Sequence, residues 1–259
     1  MSRIGNMMRL LANLGRIAVR RPQRFSHILG HALAASEEVA FRDRDLLRLP
    51  QVSLAELQSG DTSIPVTLQM FPAAVASISP LEFIALILLL KRVDARSVFE
   101  FGTYKGVSIT QLALNLPQGA QVYTLDLPDK AGPTRYAITD PHDVMIARDN
   151  GKGSLVPETI RPRIQFLKQD SAQFDESPLA GSIDFVFVDG AHNLDYVRND
   201  SEKGWRMVRP GGIIAWHDCR PSDPDVVRYL LACPYQPARI AGTTLAFAVK
   251  PSAGAAGAG

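Results

Sequence analysis

The sequence predicts an α/β fold, in which a mostly parallel sheet is covered by helices on both faces and ends in an antiparallel hairpin. Three observations support this prediction. Apolar strand-like segments alternate with helical ones from about residue 80 onwards. A glycine-rich turn joins the first of these strands to a helix. The last two strands are separated only by residues 241–243, a gap too short for a helical crossover, so they must be antiparallel.

Each element has its own signal. The first helix of this region should begin after Ser79, with Pro80 in its first turn and Glu82 completing a capping box. Seven short apolar runs predict strands at 97–101, 121–126, 164–168, 183–188, 212–216, 235–240 and 244–249. Further helices are predicted at 107–116, 142–148, 194–208 and 225–231. Gly211-Gly212 is expected to form a tight turn before the fifth strand.

Composition excludes several classes of protein. The chain has 259 residues, of which 46% are hydrophobic, so it can bury the core of one large domain. A net charge of +2, without a basic stripe interleaved with aromatic residues after the N-terminus, argues against a nucleic-acid partner. Two cysteines give no disulfide framework and predict reduced thiols in the cytoplasm. The apolar run Phe83–Leu90 is too short to cross a bilayer.

The first 75 residues show no strand-like alternation and predict helices and loops. No acidic residue precedes Glu37, and the basic residues of segment 3–24 lie opposite an apolar helical face. Three interpretations stay open for this segment: a helix docked on its own domain or on a second subunit of a homo-oligomer, a helix resting on an anionic membrane surface, or a partner-binding tail. Its arginines interrupt the apolar core that a signal peptide needs.

Segment 98–106 is the most informative part of the chain. A strand carrying Glu100 runs into Gly102 and Gly106 and then into a helix. The glycines let the backbone approach a ligand, and the helix start offers unpaired N–H groups. Asp126 ends the next strand, where a carboxylate can accept both hydroxyls of a ribose; the alternative is a solvated acid. No Lys-Ser/Thr pair follows the glycines, which argues against an NTPase.

The next three strands also end in polar groups, namely Gln169-Asp170-Ser171, Asp189-Gly190-Ala191-His192 and His217-Asp218. Ligands of open α/β sheets bind outside these strand ends. Asp170 and Ser171 can contact an adenine ring or, alternatively, cap a helix. Because Asp189 and the pair His217-Asp218 end adjacent strands, we expect their side chains to lie close together.

With these motifs the chain resembles class I S-adenosylmethionine-dependent methyltransferases, of the group with DGxH and GG…HD segments (methyltransferase domain 24-like). The resemblance covers about residues 80–250 and is carried by Phe99–Gly106, Tyr123–Asp126, Val188–His192 and Arg209–Asp218. It implies a Rossmann-like three-layer sandwich with a seven-stranded sheet. The resulting domain prediction is an N-terminal helical region (1–75), a methyltransferase domain (76–250) with an insertion (127–163), and a disordered tail (251–259).

The resemblance also implies residue roles. S-adenosylmethionine would be bound by Glu100, Gly102, Thr103, Tyr104, Gly106, Asp126, Asp170, Ser171 and Asp189. Many members of this family have a glycine at the position of Tyr104. The tyrosine side chain is expected to narrow the space at the glycine-rich turn of residues 102–106. A divalent cation (Mn, Mg, Fe or Zn) would be held by Asp189, His217 and Asp218, and the imidazole suits Mn, Fe or Zn better than Mg. Two alternatives stay open: His192 or His217 as a metal-free general base, or purely structural roles for the acids.

The predicted activity is methyl transfer from S-adenosylmethionine to a hydroxyl of a small molecule or sugar-type substrate, with Asp189, His192 and His217 as catalytic residues. The insertion 127–163 is expected to be a lid or to shape the acceptor pocket, the alternative being a plain surface excursion. Two other classes stay open, a non-catalytic scaffold that binds the cofactor and a nicotinamide-dependent oxidoreductase. The terminal hairpin and the missing Gly-x-Gly-x-x-Gly speak against the oxidoreductase.

Overall fold

The computed structural model describes residues 46, 48–58, 63–71, 78–129 and 132–252. The predicted basic helix of residues 3–24 and the tail residues 253–259 lie outside the described residues. The described residues belong to one compact unit, Leu46–Gly259, so part of the predicted N-terminal region is built into it. Within the described residues, every helix is too short or too polar to cross a membrane.

The described helices and strands alternate along the chain as predicted. In chain order they are β1 (Gln51–Val52), α1 (Leu54–Leu57), α2 (Pro80–Arg92), β2 (Ser97–Phe101), α3 (Val107–Leu114), β3 (Gln121–Asp126), α4 (Pro141–Ala147), β4 (Ile164–Lys168), β5 (Ile183–Val188), α5 (Leu194–Met207), β6 (Val208–Trp216), α6 (Pro224–Ala232), β7 (Ala238–Ile240) and β8 (Ala246–Val249). The capping box of α2 is present, since Ser79 and Glu82 exchange side-chain to backbone hydrogen bonds.

The strands form one sheet in the order β1-β7-β8-β6-β5-β2-β3-β4. Strands β2 to β6 are parallel, and β8 runs antiparallel to both of its neighbours, β6 and β7. The predicted mostly parallel sheet with a C-terminal antiparallel pair is confirmed. Strand β1, which extends the sheet beyond β7, was not predicted. Two residues are too few to show alternation, and β1 exists only through its backbone bonds to the β7 segment.

Gly211 and Gly212 do not form the predicted turn. Strand β6 begins at Val208, directly after α5, and the two glycines lie inside it. Gly211 has a φ of +77°, and a Cβ on Gly212 would lie 2.7 Å from the carbonyl oxygen of Asp184 on β5. The glycines therefore accommodate a register shift between β5 and β6.

The core lies on both faces of the sheet, as a three-layer sandwich requires. On β5, Phe185 and Phe187 pack into the cluster under α2 and α3. Val186 and Val188 of the same strand pack into the cluster under α5 and α6. In an open sheet covered on both faces, ligands bind outside the carboxyl ends of the parallel strands, so we expect the site there.

Candidate active site

A cavity of about 190 Å³ opens at the carboxyl ends of the parallel strands. The predicted site residues that line it are Gly102, Thr103, Tyr104, Asp126, Asp170, Ser171, Asp189, His192, His217 and Asp218. Glu100 and Gly106 do not line it. The insertion contributes a wall that includes Ile138, Ile146 and Ala147. One cavity therefore unites the glycine corner after β2 with the acid and histidine cluster after β5 and β6.

The corner requires glycine at its first turn. Gly102 has a φ of +93°, and a Cβ there would lie 2.0 Å from the carbonyl oxygen of Asp189. The backbone N–H of Asp189 in turn donates to the carbonyl of Phe101 at 2.9 Å, so the ends of β2 and β5 touch through their backbones. Tyr104 has a φ of +42°, a conformation that glycine adopts more readily.

Asp126 fastens the corner. One oxygen of its carboxylate accepts hydrogen bonds from the backbone N–H groups of Thr103 (3.0 Å) and Tyr104 (2.7 Å), and the other accepts one from Leu127 (2.7 Å). Burial raises the pKa of Asp126, and Lys152, whose Nζ lies 3.5 Å from the carboxylate, opposes this shift. The carboxylate thus holds the ligand-facing backbone in place and lines the cavity itself.

Glu100 lies beneath the corner rather than in the cavity. Its side chain is fully buried and accepts hydrogen bonds from the hydroxyls of Ser108 (2.5 Å) and Thr124 (2.6 Å). Burial raises the pKa of Glu100 to about 8, although both hydroxyls oppose the shift. The carboxyl therefore ties β2 to α3 and β3. Gly106, with a φ of +82°, begins α3 and packs against Val156 rather than facing the cavity.

Asp170 lines the cavity and also organises the chain around it. Its carboxylate accepts hydrogen bonds from the backbone N–H groups of Arg135 (2.8 Å) and Ala172 (2.9 Å) and from the hydroxyl of Tyr196 (3.0 Å). The carbonyl of its neighbour Ser171 accepts a hydrogen bond from Lys203 at 2.7 Å. Asp170 therefore closes the turn that follows β4 rather than capping a helix, and it also reaches the cavity.

His217 stands at the centre of the second group of residues. Its Nδ1 lies 3.1 Å from Oδ1 of Asp189 and 3.0 Å from Oδ2 of Asp218, and its Nε2 lies 3.7 Å from Glu82. Burial alone would lower the pKa of His217, but the surrounding carboxylates raise it to about 12. Burial raises the pKa of Asp189, and His217 opposes this shift. The neighbouring carboxylates therefore favour the protonated form of His217.

His192 is held between two carboxylates. Its Nδ1 lies 2.6 Å from Oδ1 of Asp143, and its Nε2 lies 2.6 Å from Oδ2 of Asp218. These contacts outweigh burial and raise the pKa of His192 to about 11. Burial would raise the pKa of Asp218, but the two imidazoles lower it. The raised pKa values favour the protonated form of both rings, which disfavours either histidine as a free general base.

Sequence reasoning missed two members of this group. Asp143 lies on α4 in the insertion, 49 residues before His192, and no local motif links the two. Glu82 was recognised only as part of a capping box, yet it also accepts hydrogen bonds from Thr244 and faces His217. The only sequence signal for either residue is that it is an acid in the first turn of a helix. The sequence does not show that the fold places these helix starts next to the strand ends.

The donor set fits a divalent cation. Asp189, His217 and Asp218 each offer one ligand atom, and these atoms lie within 4.8 Å of one another. Oδ1 of Asp218 lies 2.8 Å from Arg220, but it is buried and accepts no well-directed hydrogen bond. An imidazolium cannot ligate a metal, so binding a cation here requires His217 to release a proton.

Comparison with known proteins points to one family. A family model described as "Methyltransferase domain" matches residues 99–219. The chain is 27% identical over 199 residues to a caffeoyl-CoA O-methyltransferase of Stellaria longipes, covering 74% of this chain and 72% of the relative. It is 29% identical over 134 residues to a flavonoid 3',5'-methyltransferase of Vitis vinifera, covering 50% and 49%.

A solved structure from Staphylococcus aureus, assigned to the caffeoyl-CoA O-methyltransferases, has the same fold. Its TM-score is 0.51 at 15% identity, and the alignment covers 68% of this chain and 86% of that one. The sequence matches support neither an oxidoreductase nor a non-catalytic scaffold. Residues 99–219 therefore match a methyltransferase domain, and the chain is similar to O-methyltransferases in sequence.

Proposed function

We propose that the protein transfers the methyl group of S-adenosylmethionine to a hydroxyl of a small molecule or sugar-type acceptor. One observation carries this proposal: the cluster of Asp189, His217 and Asp218 lines the same cavity as the glycine corner and Asp126. The names of the two curated relatives specify a caffeoyl group and a flavonoid, which supports an oxygen acceptor. Ile138, Ile146 and Ala147 of the insertion give the cavity an apolar surface beside His142 and Asp143, which suits a small organic molecule.

The corner half of the cavity is proposed to bind the cofactor. Gly102 lets the methionine part approach the backbone, Asp126 accepts the ribose hydroxyls, and Asp170 with Ser171 faces the adenine. S-adenosylmethionine supplies a methyl group that is already activated on a sulfonium. The protein therefore has to orient the acceptor, exclude water and remove one proton.

The cluster half is proposed to handle the acceptor. Asp189 is the proton acceptor, because burial raises its pKa and it faces the cavity while both histidines are protonated. A divalent cation, when bound, would be held by Asp189, His217 and Asp218 and would lower the pKa of the acceptor hydroxyl. The charge of His217 keeps the carboxylates of Asp189 and Asp218 together.

Calorimetric titration tests the cofactor half. The wild-type protein should bind S-adenosylmethionine with micromolar affinity and should not bind NAD. Asp126→Ala should weaken that binding by at least about tenfold, or about 1.4 kcal/mol, because the corner loses the acceptor of two backbone N–H groups. Asp129→Ala is the matched control, since Asp129 pairs with Lys168 outside the cavity lining. Absence of S-adenosylmethionine binding would refute the proposal.

The acceptor half is tested by release of S-adenosylhomocysteine. A panel of catechol-type phenols and sugars with vicinal hydroxyls should be assayed after chelation and after addition of Mn²⁺ or Mg²⁺. Turnover that falls on chelation and returns with Mn²⁺ would support the cation. Turnover that is indifferent to chelation would assign proton removal to Asp189 alone.

A further inference from the structure

We infer that Asp143 is a positioning residue that couples the insertion 127–163 to the catalytic cluster through His192. This inference rests on the proposed function of the cluster. It concerns a residue whose carboxylate reaches the cluster from outside the strand ends, and it gives the insertion a role beyond supplying a cavity wall.

The first link is a double contact. Asp143 lies in the first turn of α4 and is buried, with 5% of its surface exposed. Its Oδ2 accepts a hydrogen bond from the backbone N–H of His192 at 2.7 Å, and its Oδ1 lies 2.6 Å from Nδ1 of the same residue. A carboxylate that grips both the main chain and the ring fixes where the imidazole lies and how it is turned.

The second link passes from His192 to Asp218. Nε2 of His192 lies 2.6 Å from Oδ2 of Asp218, the same oxygen that Nδ1 of His217 approaches to 3.0 Å. The orientation of the Asp218 carboxylate is thus set by two rings, one of which Asp143 holds. Partners of this kind, one step removed from the reacting group, commonly change metal affinity or activity by 10- to 100-fold when they are lost.

Helix α4 connects these links to the cavity. Asp143 itself lines the cavity, and so do Ile146 and Ala147, one turn further along the helix. Asp140 caps the helix by accepting hydrogen bonds from the backbone of His142 (2.8 Å) and Asp143 (3.3 Å). Among the described residues, the side-chain hydrogen bonds of His192 go to Asp143 and Asp218, not to this cap. A displacement of α4 therefore changes the cavity wall and the cluster together.

The test compares Asp143→Asn with two controls. Asp140→Ala loosens the same helix turn without removing the carboxylate from His192. Glu158→Gln alters an acid of the insertion whose side chain is 90% exposed. Nitrogen NMR of the imidazole rings of full-length protein, with signals assigned from His192→Gln and His217→Gln, needs neither an acceptor nor a metal. Asp143→Asn should shift the signals of His192 and also those of His217, which Asp143 does not touch.

Binding and kinetics provide the second readout. Asp143→Asn should weaken Mn²⁺ binding and lower kcat by about 10- to 100-fold, while the KM for S-adenosylmethionine and the affinity for S-adenosylhomocysteine stay within about twofold. A shift confined to His192, or equal effects of Asp140→Ala and Asp143→Asn, would overturn the inference. If the wild type binds no Mn²⁺ or turns over no acceptor, that part of the proposed function fails, and the His217 signal alone decides the coupling.

Discussion

The two halves of the cavity are built in different ways. The corner after β2 and β3 is made of backbone: glycine at a positive φ, and N–H groups held by Asp126. The cluster after β5 and β6 is made of side chains, with the imidazoles of His192 and His217 among the carboxylates of Asp143, Asp189 and Asp218. The first half therefore depends on the backbone conformation, and the second depends on the balance between positive and negative side chains.

This difference indicates a division of labour. On the proposed function, the backbone corner binds the cofactor, which is the same in every reaction cycle, and tolerates little change in shape. A cluster of charged side chains controls a proton and orients a hydroxyl, and it can be tuned through residues in other elements, such as Asp143 and Glu82. The halves touch where Gly102 packs against the carbonyl of Asp189. Substitutions in each half should therefore have separable effects.

The largest effect on turnover is expected from Asp218→Asn. Asparagine keeps the shape and tolerates the φ of +57°, but it removes the charge that His192 and His217 share. We expect kcat to fall by about 10²- to 10⁴-fold, with S-adenosylhomocysteine affinity within about threefold of the wild type. Single-turnover kinetics and calorimetry measure the two quantities. Equal losses in kcat and in S-adenosylhomocysteine affinity would show that the two halves of the cavity do not act separately.

Gly102→Ala should give the converse result. The added Cβ would lie 2.0 Å from a backbone oxygen of Asp189 at a φ of +93°, so the corner must open. We expect cofactor affinity to fall by more than about tenfold, or about 1.4 kcal/mol, together with a loss of stability. Gly119→Ala is the matched control, since Gly119 has a φ of +82° and no atom within 4 Å of its Cβ position. Calorimetry measures the cofactor affinity of both variants, and urea unfolding measures their stability. Both variants strain the backbone, but only Gly102→Ala adds a steric clash, so equal losses in the two variants would contradict the structure.

The same contrast explains what the sequence could predict. The corner and the strand-end acids are contiguous motifs after apolar runs, so Gly102, Asp126 and Asp189 could be identified from local pattern. Asp143 could not, because its partner is 49 residues away and only the fold joins them. Glu100 was expected in the cavity only from the family resemblance. Every residue of β2 is buried, so the sequence pattern does not show which way a side chain at the strand end points.

The smallest expected effect concerns the charge state of one buried carboxyl in or beneath each half of the cavity. Glu100 is a buried carboxyl beneath the corner whose pKa is raised to about 8, whereas the cluster carboxylate of Asp218 has a lowered pKa. Between the ordinary value of 4.5 and about 8, the folded state keeps a proton that the unfolded state has lost. The stability that Glu100 contributes is therefore fully present below pH 4.5 and is lost as the pH rises through about 8.

Glu100→Gln removes this titration and keeps the side-chain shape. The free energy of unfolding of the variant, relative to the wild type, should rise by about 1 kcal/mol or more between pH 5 and pH 9, as measured by urea unfolding at each pH. Burial also raises the pKa of Asp200 to about 7. Asp200 changes the unfolding free energy with pH equally in the variant and the wild type, so the difference between the two proteins reports Glu100 alone. If the difference in unfolding free energy between variant and wild type does not change with pH, Glu100 is already ionised at neutral pH, and its pKa is not raised as the structure indicates.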